Sequence, residues 1–598
     1  MADDNNNPKH IPLEESIQSA HNLYLKVVAT NALEEGLVEC EPLVSKSLYH
    51  NFLKCVGLII FAVSSMKKED IDKAAEAVQS LGKYTNKFRK HGLLISALKM
   101  VKTPNYNKYT DLELHAELLH AYYVAMSALI CGLETHTIVG LIKVAYRLQK
   151  FLKSFKGCRV ILKKRKTWES ETSRLHFEAG VRFANGLKNL TISQIPPKLL
   201  RVINFVGIKG QESVGMEDLN KAAFELPGIN SRFARMFFIG YWLYGQPHGG
   251  LGPKNLTDCE AIIKKEMDEY PKSVIYRGCL AKLDQIRGDI DGSIAKNVEL
   301  LNNDFEPIHK AVHFELMWSH ALKAQWDEAI KYAELVRKNT EHSPTYTTYA
   351  EAVFRYVKCI EDNDVNQKQI VTKLMETIPT LRIRHLGKTI TPEKVAVECS
   401  VKYMKNNEFL ILPEMDLLYQ GNWIQFIKGN EVLLNKLLVR VDKELKHFQN
   451  DIAGSDPLDN YLSAVFYKAV IMRLLGKHNE AKQLIQTIIT NESRIIKEKS
   501  IAAQAVLELG LNELETGNTE ESKKWINKCI DNYSGYLNEN YVHLRAYSAL
   551  REMGVSTDKQ KEDEVKLEEY KKQWLKDINI EEKNYETIVG TEDEVIVN

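Results

Sequence analysis

The sequence predicts an all-α chain, an irregular superhelix of helical hairpins (an α-solenoid), on three observations. Apolar residues recur at helical spacing in pairs of short segments. In FELMWSHALKAQWDEAIKYAELVRKN, Phe314, Met317, Trp318, Ala321 and Leu322 form one stripe, and Trp326, Ala329, Ile330, Ala333 and Val336 form the next. Polar or glycine-containing turns separate the stripes, here Lys323-Ala324-Gln325. The 598 residues include only 16 prolines and 31 glycines, below ordinary usage, as expected of a chain with many helices and few β-turns.

The pairs follow one another along the chain. Near the N-terminus FLKCVGLIIFAVSSM breaks at Lys67-Lys68-Glu69, and DIDKAAEAVQSL then supplies Ile71, Ala74, Ala75 and Val78. Tyr276, Cys279, Leu280 and Leu283 lead to a break at Gly288-Asp289, then to Ile290, Ile294 and Val298. Beyond the hairpin already quoted, Phe466, Ala469 and Val470 lead through Gly476-Lys477-His478 to Ala481, Leu484, Ile485, Ile488 and Ile489. The last pair carries Leu509-Gly510, a turn at Gly517-Asn518, and Ser522, Trp525, Ile526, Cys529 and Ile530. Two short amphipathic helices with a small residue at their close approach are the physics of a tetratricopeptide repeat, whose period is about 34 residues. The turns at Gly288 and Ala324, and at Gly476 and Gly517, are spaced wider than that, so the array is irregular. A lone hairpin cannot bury both stripes, so the units are expected to stack. Trp318, Trp326, Ala329, Ile485 and Gly510 are expected inside.

The breaks suggest four regions: a disordered N-terminus (1–11), an N-terminal helical region with degenerate repeats (12–245), a C-terminal tetratricopeptide-like array (246–555), and a charged helix with an acidic flexible tail (556–598). GQPHGGLGPKN, Gly245 to Asn255, is the expected hinge between halves.

Composition narrows the function classes. A net charge of +1 supplies no global field to draw nucleic acid, which is not expected as a partner. The nine cysteines are dispersed, without a Cys-x-x-Cys pair, as in a reducing compartment. The opening MADDNNNPKH is polar and acidic, unlike a signal or transit peptide. The longest apolar run, Cys55 to Val63, is about half of the roughly 20 residues a bilayer span needs, and is expected as a buried helix. A cytoplasmic protein is expected, with a nuclear pool or one at organelle and lipid-droplet surfaces left open.

No catalytic, cofactor-binding or metal-ligating set can be assembled. HGGLG, His248 to Gly252, lacks the lysine and strand–helix setting of a phosphate loop. His309 and His313 share a helix face but have no third ligand at metal spacing; His115 and His120 do not share a face. The run KFLKSFKGCRVILKKRKTW, Lys150 to Trp168, has no acid and interleaves Phe151, Phe155 and Trp168. It offers weak contact with anionic lipid, and Lys163 to Lys166 a minimal nuclear import signal; the plainer alternative is a solvated helix end. A lysine–asparagine clamp for a partner's terminal carboxylate needs regular adjacent repeats, which the interrupted units do not provide.

One segment is more distinctive: HFEAGVRFANGLKNLTISQIPPKLLRVINFVGIKGQESVGMEDL, His176 to Leu219. Its spaced Gly180 and Gly186, its Ser193 and Pro196, and its Leu199, Leu200, Ile203, Phe205 and Gly207 resemble the hallmark of the tetratricopeptide repeat protein 39 family, which includes fungal inclusion-body-clearance proteins. Glu315-Leu316-Met317-Trp318 with Gln325-Trp326, the stretch Gly387 to Lys405 with Leu412 to Tyr419, and LRAYSALREM resemble it in family order, over roughly residues 12 to 555. The doubled Pro196-Pro197 and the basic linker depart from the pattern. The resemblance implies a non-catalytic adaptor without cofactor, one that binds protein partners through a concave groove, in lipid homeostasis or protein clearance. The alternative is a peripheral protein of lipid droplets or organelle membranes, touching lipid through Leu199 to Phe205 and the basic run.

Overall fold

A computed structural model describes residues 10–90, 105–134, 138–194, 210–252, 254–303, 305–339, 343–383, 389–448 and 455–555. Every regular element among them is a helix. The tails, Pro196 to Gly207 and residues 556–598 lie outside the described residues.

The expected hairpins form. Val274–Ile286 turns into Ile290–Leu300, Glu306–Leu322 into Trp326–Asn339, Ser455–Leu474 into His478–Thr490, and Ser500–Glu515 into Thr519–Asn532. A further hairpin, Pro344–Asp362 with Val365–Thr377, follows the same pattern. One device closes all five. A residue in the left-handed region ends the first helix: Gly288 (φ 84°), Ala324 (52°), Asn363 (58°), Gly476 (76°) and Gly517 (82°). The next amide then bonds back five residues, Asp289 to Asp284, Gln325 to His320, Asp364 to Cys359, Lys477 to Met472 and Asn518 to Glu513. This satisfies carbonyls that the helix end would otherwise leave bare.

Packing follows the stripes. Trp318, Ala329 and Ile485 are fully buried, Trp326 nearly so. A Cβ on Gly510 would stand 2.6 Å from Ile526 Cδ1, so glycine there permits the two helices of its hairpin to close. In the N-terminal region Leu48–Ser65 and Lys68–Asn86 pair, while Asp111–Glu134 and Ile138–Lys164 make a longer pair. Leu48–Ser65 and Asp111–Glu134 are long and apolar enough to cross a membrane. Both bury one face, with Phe52, Cys55, Leu114 and Leu118 in a shared core. The other side of Leu48–Ser65 leaves Ile60 half exposed.

A second core runs from Val28 to Leu509, and a third joins Val506 to Leu550. The long core crosses the segment expected to be a hinge. Tyr241–Gly245 is a π-helical turn leading directly into Gln246–Gly249, a geometry that departs from regular helix and is common at functional sites. Pro247 is buried, and His248 is clamped between neighbouring elements. The described residues of this insert are packed against neighbouring elements, with small residues that permit the close approach.

Candidate interaction site on the inner face

The first helices of successive hairpins share a face, and two intrachain segments occupy it. Val274–Ile286 meets Tyr241–Gly245 and Trp423–Ile427; Glu306–Leu322 also meets Trp423–Ile427; Pro344–Asp362 meets Pro413–Gln420. Glu539–Glu552 closes on Gln246–Gly249. Backbone carbonyls of the insert are held by side chains. Asn422 Nδ2 donates to Pro247 O at 2.6 Å and Gly250 O at 3.4 Å, and Ser548 Oγ donates to Gly249 O at 3.3 Å.

Lys282 stands at the centre. Its side chain is fully buried, and Nζ donates to Gln285 Oε1 at 2.7 Å, Glu315 Oε2 at 2.9 Å and His248 Nε2 at 3.4 Å. The rings of Trp423, Tyr244 and Phe426 surround it at 4.5, 5.0 and 5.3 Å. Three donors meet three acceptors, so the charge is satisfied inside an aromatic cage. Burial nevertheless lowers the ammonium's pKa against the pull of Glu315. His248 donates from Nδ1 to Gly421 O at 2.8 Å. Burial first, and Lys282 second, hold His248 neutral, its pKa down at about 3. Here the sequence signal was present but misleading: His248 sits in the glycine-rich stretch that reads as a loop.

A second polar cluster lies beyond. Arg473 donates from Nε to Glu508 at 2.7 Å and from Nη1 to Glu515 at 2.6 Å, while Tyr419 Oη donates to Glu508 at 3.0 Å. Arg545 lies 4.5 Å from the Tyr419 ring and donates to the Tyr419 and Gln420 carbonyls. These residues line a cavity of about 660 Å³ on one side of Gly250–Gly252, open to Lys254, Gln425 and Lys428. A cavity of about 800 Å³ lies on the other side, between the helices Ile229–Gly240 and Glu539–Glu552. The concave face is thus not one open groove. The chain's own insert fills its middle and leaves a chamber on each side.

The other candidates resolve individually. His309 donates from Nε2 to Asn303 O at 2.7 Å, and His313 lies 6.0 Å from the Tyr332 ring. No group of three His, Cys, Asp or Glu with metal-site geometry occurs among the described residues. His115 accepts from Tyr49 Oη at 2.7 Å and donates to Ser173 O at 3.1 Å, and burial holds its pKa at about 3. His120 lies 3.4 Å from Thr85 Oγ1.

The basic run is mostly helix Ile138–Lys164, and its aromatics point inward. Phe151 stacks on Phe155 at 5.5 Å, and Trp168 packs on Phe177 at 5.2 Å. Arg165 is buried, paired with Asp111 at 2.5 Å and donating to the carbonyls of Tyr106 and Tyr109. Only Lys163, Lys164 and Lys166 of the import-signal tetrad face solvent, so the plainer alternative of a helix end fits the aromatics and Arg165. Leu199 to Phe205, the apolar half of the lipid-contact expectation, lies outside the described residues.

The tetratricopeptide repeat protein ttc-39B of Caenorhabditis elegans is 26% identical over 540 residues, covering 89% of this chain and 92% of its own. Among solved structures, one titled as the crystal structure of the APC/C hetero-tetramer Cut9-Hcn1 shares 10% identity. It covers 90% of this chain and 96% of its own, with a TM-score of 0.25. The family model for Iml2/Tetratricopeptide repeat protein 39 matches residues 23–475, and the chain belongs to that family.

Proposed function

We propose that this protein is a non-catalytic scaffold of the cytoplasm that binds protein partners on its inner face and serves lipid homeostasis or protein clearance. What supports this is the chamber lined by Arg473, Arg545, Gln425, Lys254 and Lys428. It is a concave surface with charged groups at its rim, built by hairpins of a helical-repeat family. Rim charges steer and select partners, while the clamped insert gives them a rigid floor.

The test is proximity labelling in cells with the native chain and with the double variant Lys254→Glu/Lys428→Glu. Both lysines are partly exposed and carry ion pairs with Glu552 and Glu515. A reproducible set of neighbours, lost in the variant while its helical circular dichroism is unchanged, supports the reading. An identical neighbour set in both proteins removes this chamber as the partner surface.

A further inference from the structure

The chamber of about 800 Å³ has a different character from its neighbour and no part in the protein-partner reading. Its volume falls in the range of small-molecule sites. Leu190, Phe233, Met236, Phe237, Leu251 and Leu544 contribute apolar wall. Another wall carries almost no side chain, because Gly240, Gly245 and Gly249 all face the space. At Gly240, where the backbone is helical (φ −61°), an added Cβ would meet nothing within 4 Å. The helix that makes this wall pays for glycine in stability without any packing neighbour to require it.

One end of the chamber is polar. Arg551 donates from Nη2 to Ser548 Oγ at 2.8 Å, a neutral partner. No carboxylate stands within ion-pair distance of its guanidinium among the described residues. Burial pulls its pKa below the ordinary value, and the more distant Glu212 opposes that only in part. Gln246 Oε1 is buried and accepts from no described donor. Arg551 is partly exposed and among the described residues has only the neutral Ser548 as side-chain partner, so an incoming anion would meet a cation that no carboxylate already pairs.

From the apolar walls, the glycine wall and Arg551 together, we infer that this chamber binds one long-chain carboxylate, its tail along Gly240 and Gly249 and its head on Arg551. Water carried with the head supplies the donor that Gln246 lacks. Glu212, on the same rim, repels the head and weakens binding. No bond is made or broken.

The probe is cis-parinarate, a polyene fatty acid whose fluorescence rises in an apolar cavity, titrated into the purified full chain. Saturable one-to-one binding is expected, reversed by palmitate, with hexadecanol at least about tenfold weaker as a competitor. Arg551→Gln should weaken binding about tenfold, whereas Glu212→Gln should strengthen it. Gly240→Leu, which places a side chain in the open space, should block binding with the helical signal intact. Absence of saturable fluorescence overturns the inference, as does native affinity in both Gly240→Leu and Arg551→Gln. Equal competition by hexadecanol overturns the carboxylate assignment.

Discussion

Lys282 Nζ lies 4.5 Å from the centre of the Trp423 ring, although 141 positions separate the two residues in a chain whose repeats otherwise meet their neighbours. The same Trp423 ring stacks on Trp318 at 4.8 Å, so one indole joins the first two hairpins of the array to a segment far downstream. Lys282→Met should therefore lower stability by about 3–5 kcal/mol, since it leaves Glu315 without its cation in the interior. Lys282→Met/Glu315→Gln should recover part of that loss. Chemical denaturation of the three proteins checks it, and a double variant no better than the single one would show that the ion pair is not the source.

Two alanines of one hairpin should respond with opposite signs. Ala324 occupies a left-handed turn at φ 52°, where a Cβ is strained, so Ala324→Gly should raise stability by about 0.5–1 kcal/mol. Ala329 is fully buried where the hairpin's helices meet, so Ala329→Arg should cost several kcal/mol, about 3–5. Melting temperatures distinguish the two directly.

Acid should weaken the fold before the carboxylates titrate. Burial holds His115 and His248 at about 3 and His176 at about 4, all below the unfolded value of 6.5. Between those values the unfolded chain binds the additional protons, so stability is full above pH 6.5 and falls as pH drops toward 4. Each histidine should contribute about 1 kcal/mol of loss between pH 7.5 and 5.5. The buried Glu414 and Asp416, both raised by burial, act in the opposite sense from their ordinary values upward, so they offset part of this loss. Melting curves across this range check the slope, and His115→Gln should make it shallower.

Asn422 grips the insert from a left-handed backbone position, φ 59°. Asn422→Gly retains that backbone and removes the grip. Amide exchange across residues 246–252 should quicken at least about tenfold, with the Ser455–Leu474 helix unaffected. Unchanged exchange in the insert would show that other contacts hold it.

The hairpins were legible because period, turn and small-residue signals coincided, as at Trp318, Ala324 and Ala329. The hairpin Pro344–Thr377 escaped because its turn uses Asn363 in place of glycine, and its first helix is buried nearly all round. The inner face was less legible still. Glycines at 245, 249, 250 and 252 read as a hinge, since composition reports conformational freedom and not the close packing that can take it away. Lipid contact through the aromatics of the basic run stood beside the plainer helix end because a charge run hides that Phe155 and Trp168 pack inward. Arg165 illustrates the same limit: one member of a lysine-rich tetrad is internal, and only the position of Asp111 reveals it.

The insert also changes how the molecule should respond to force. A solenoid whose units touch only their neighbours extends like a spring and can lose repeats one at a time from an end. Here the segments around His248 and Trp423 lash the first hairpin of the array, the middle and the helix Glu539–Glu552 together across the interior. Such a body resists stretching until the lashing fails, and then yields as a block.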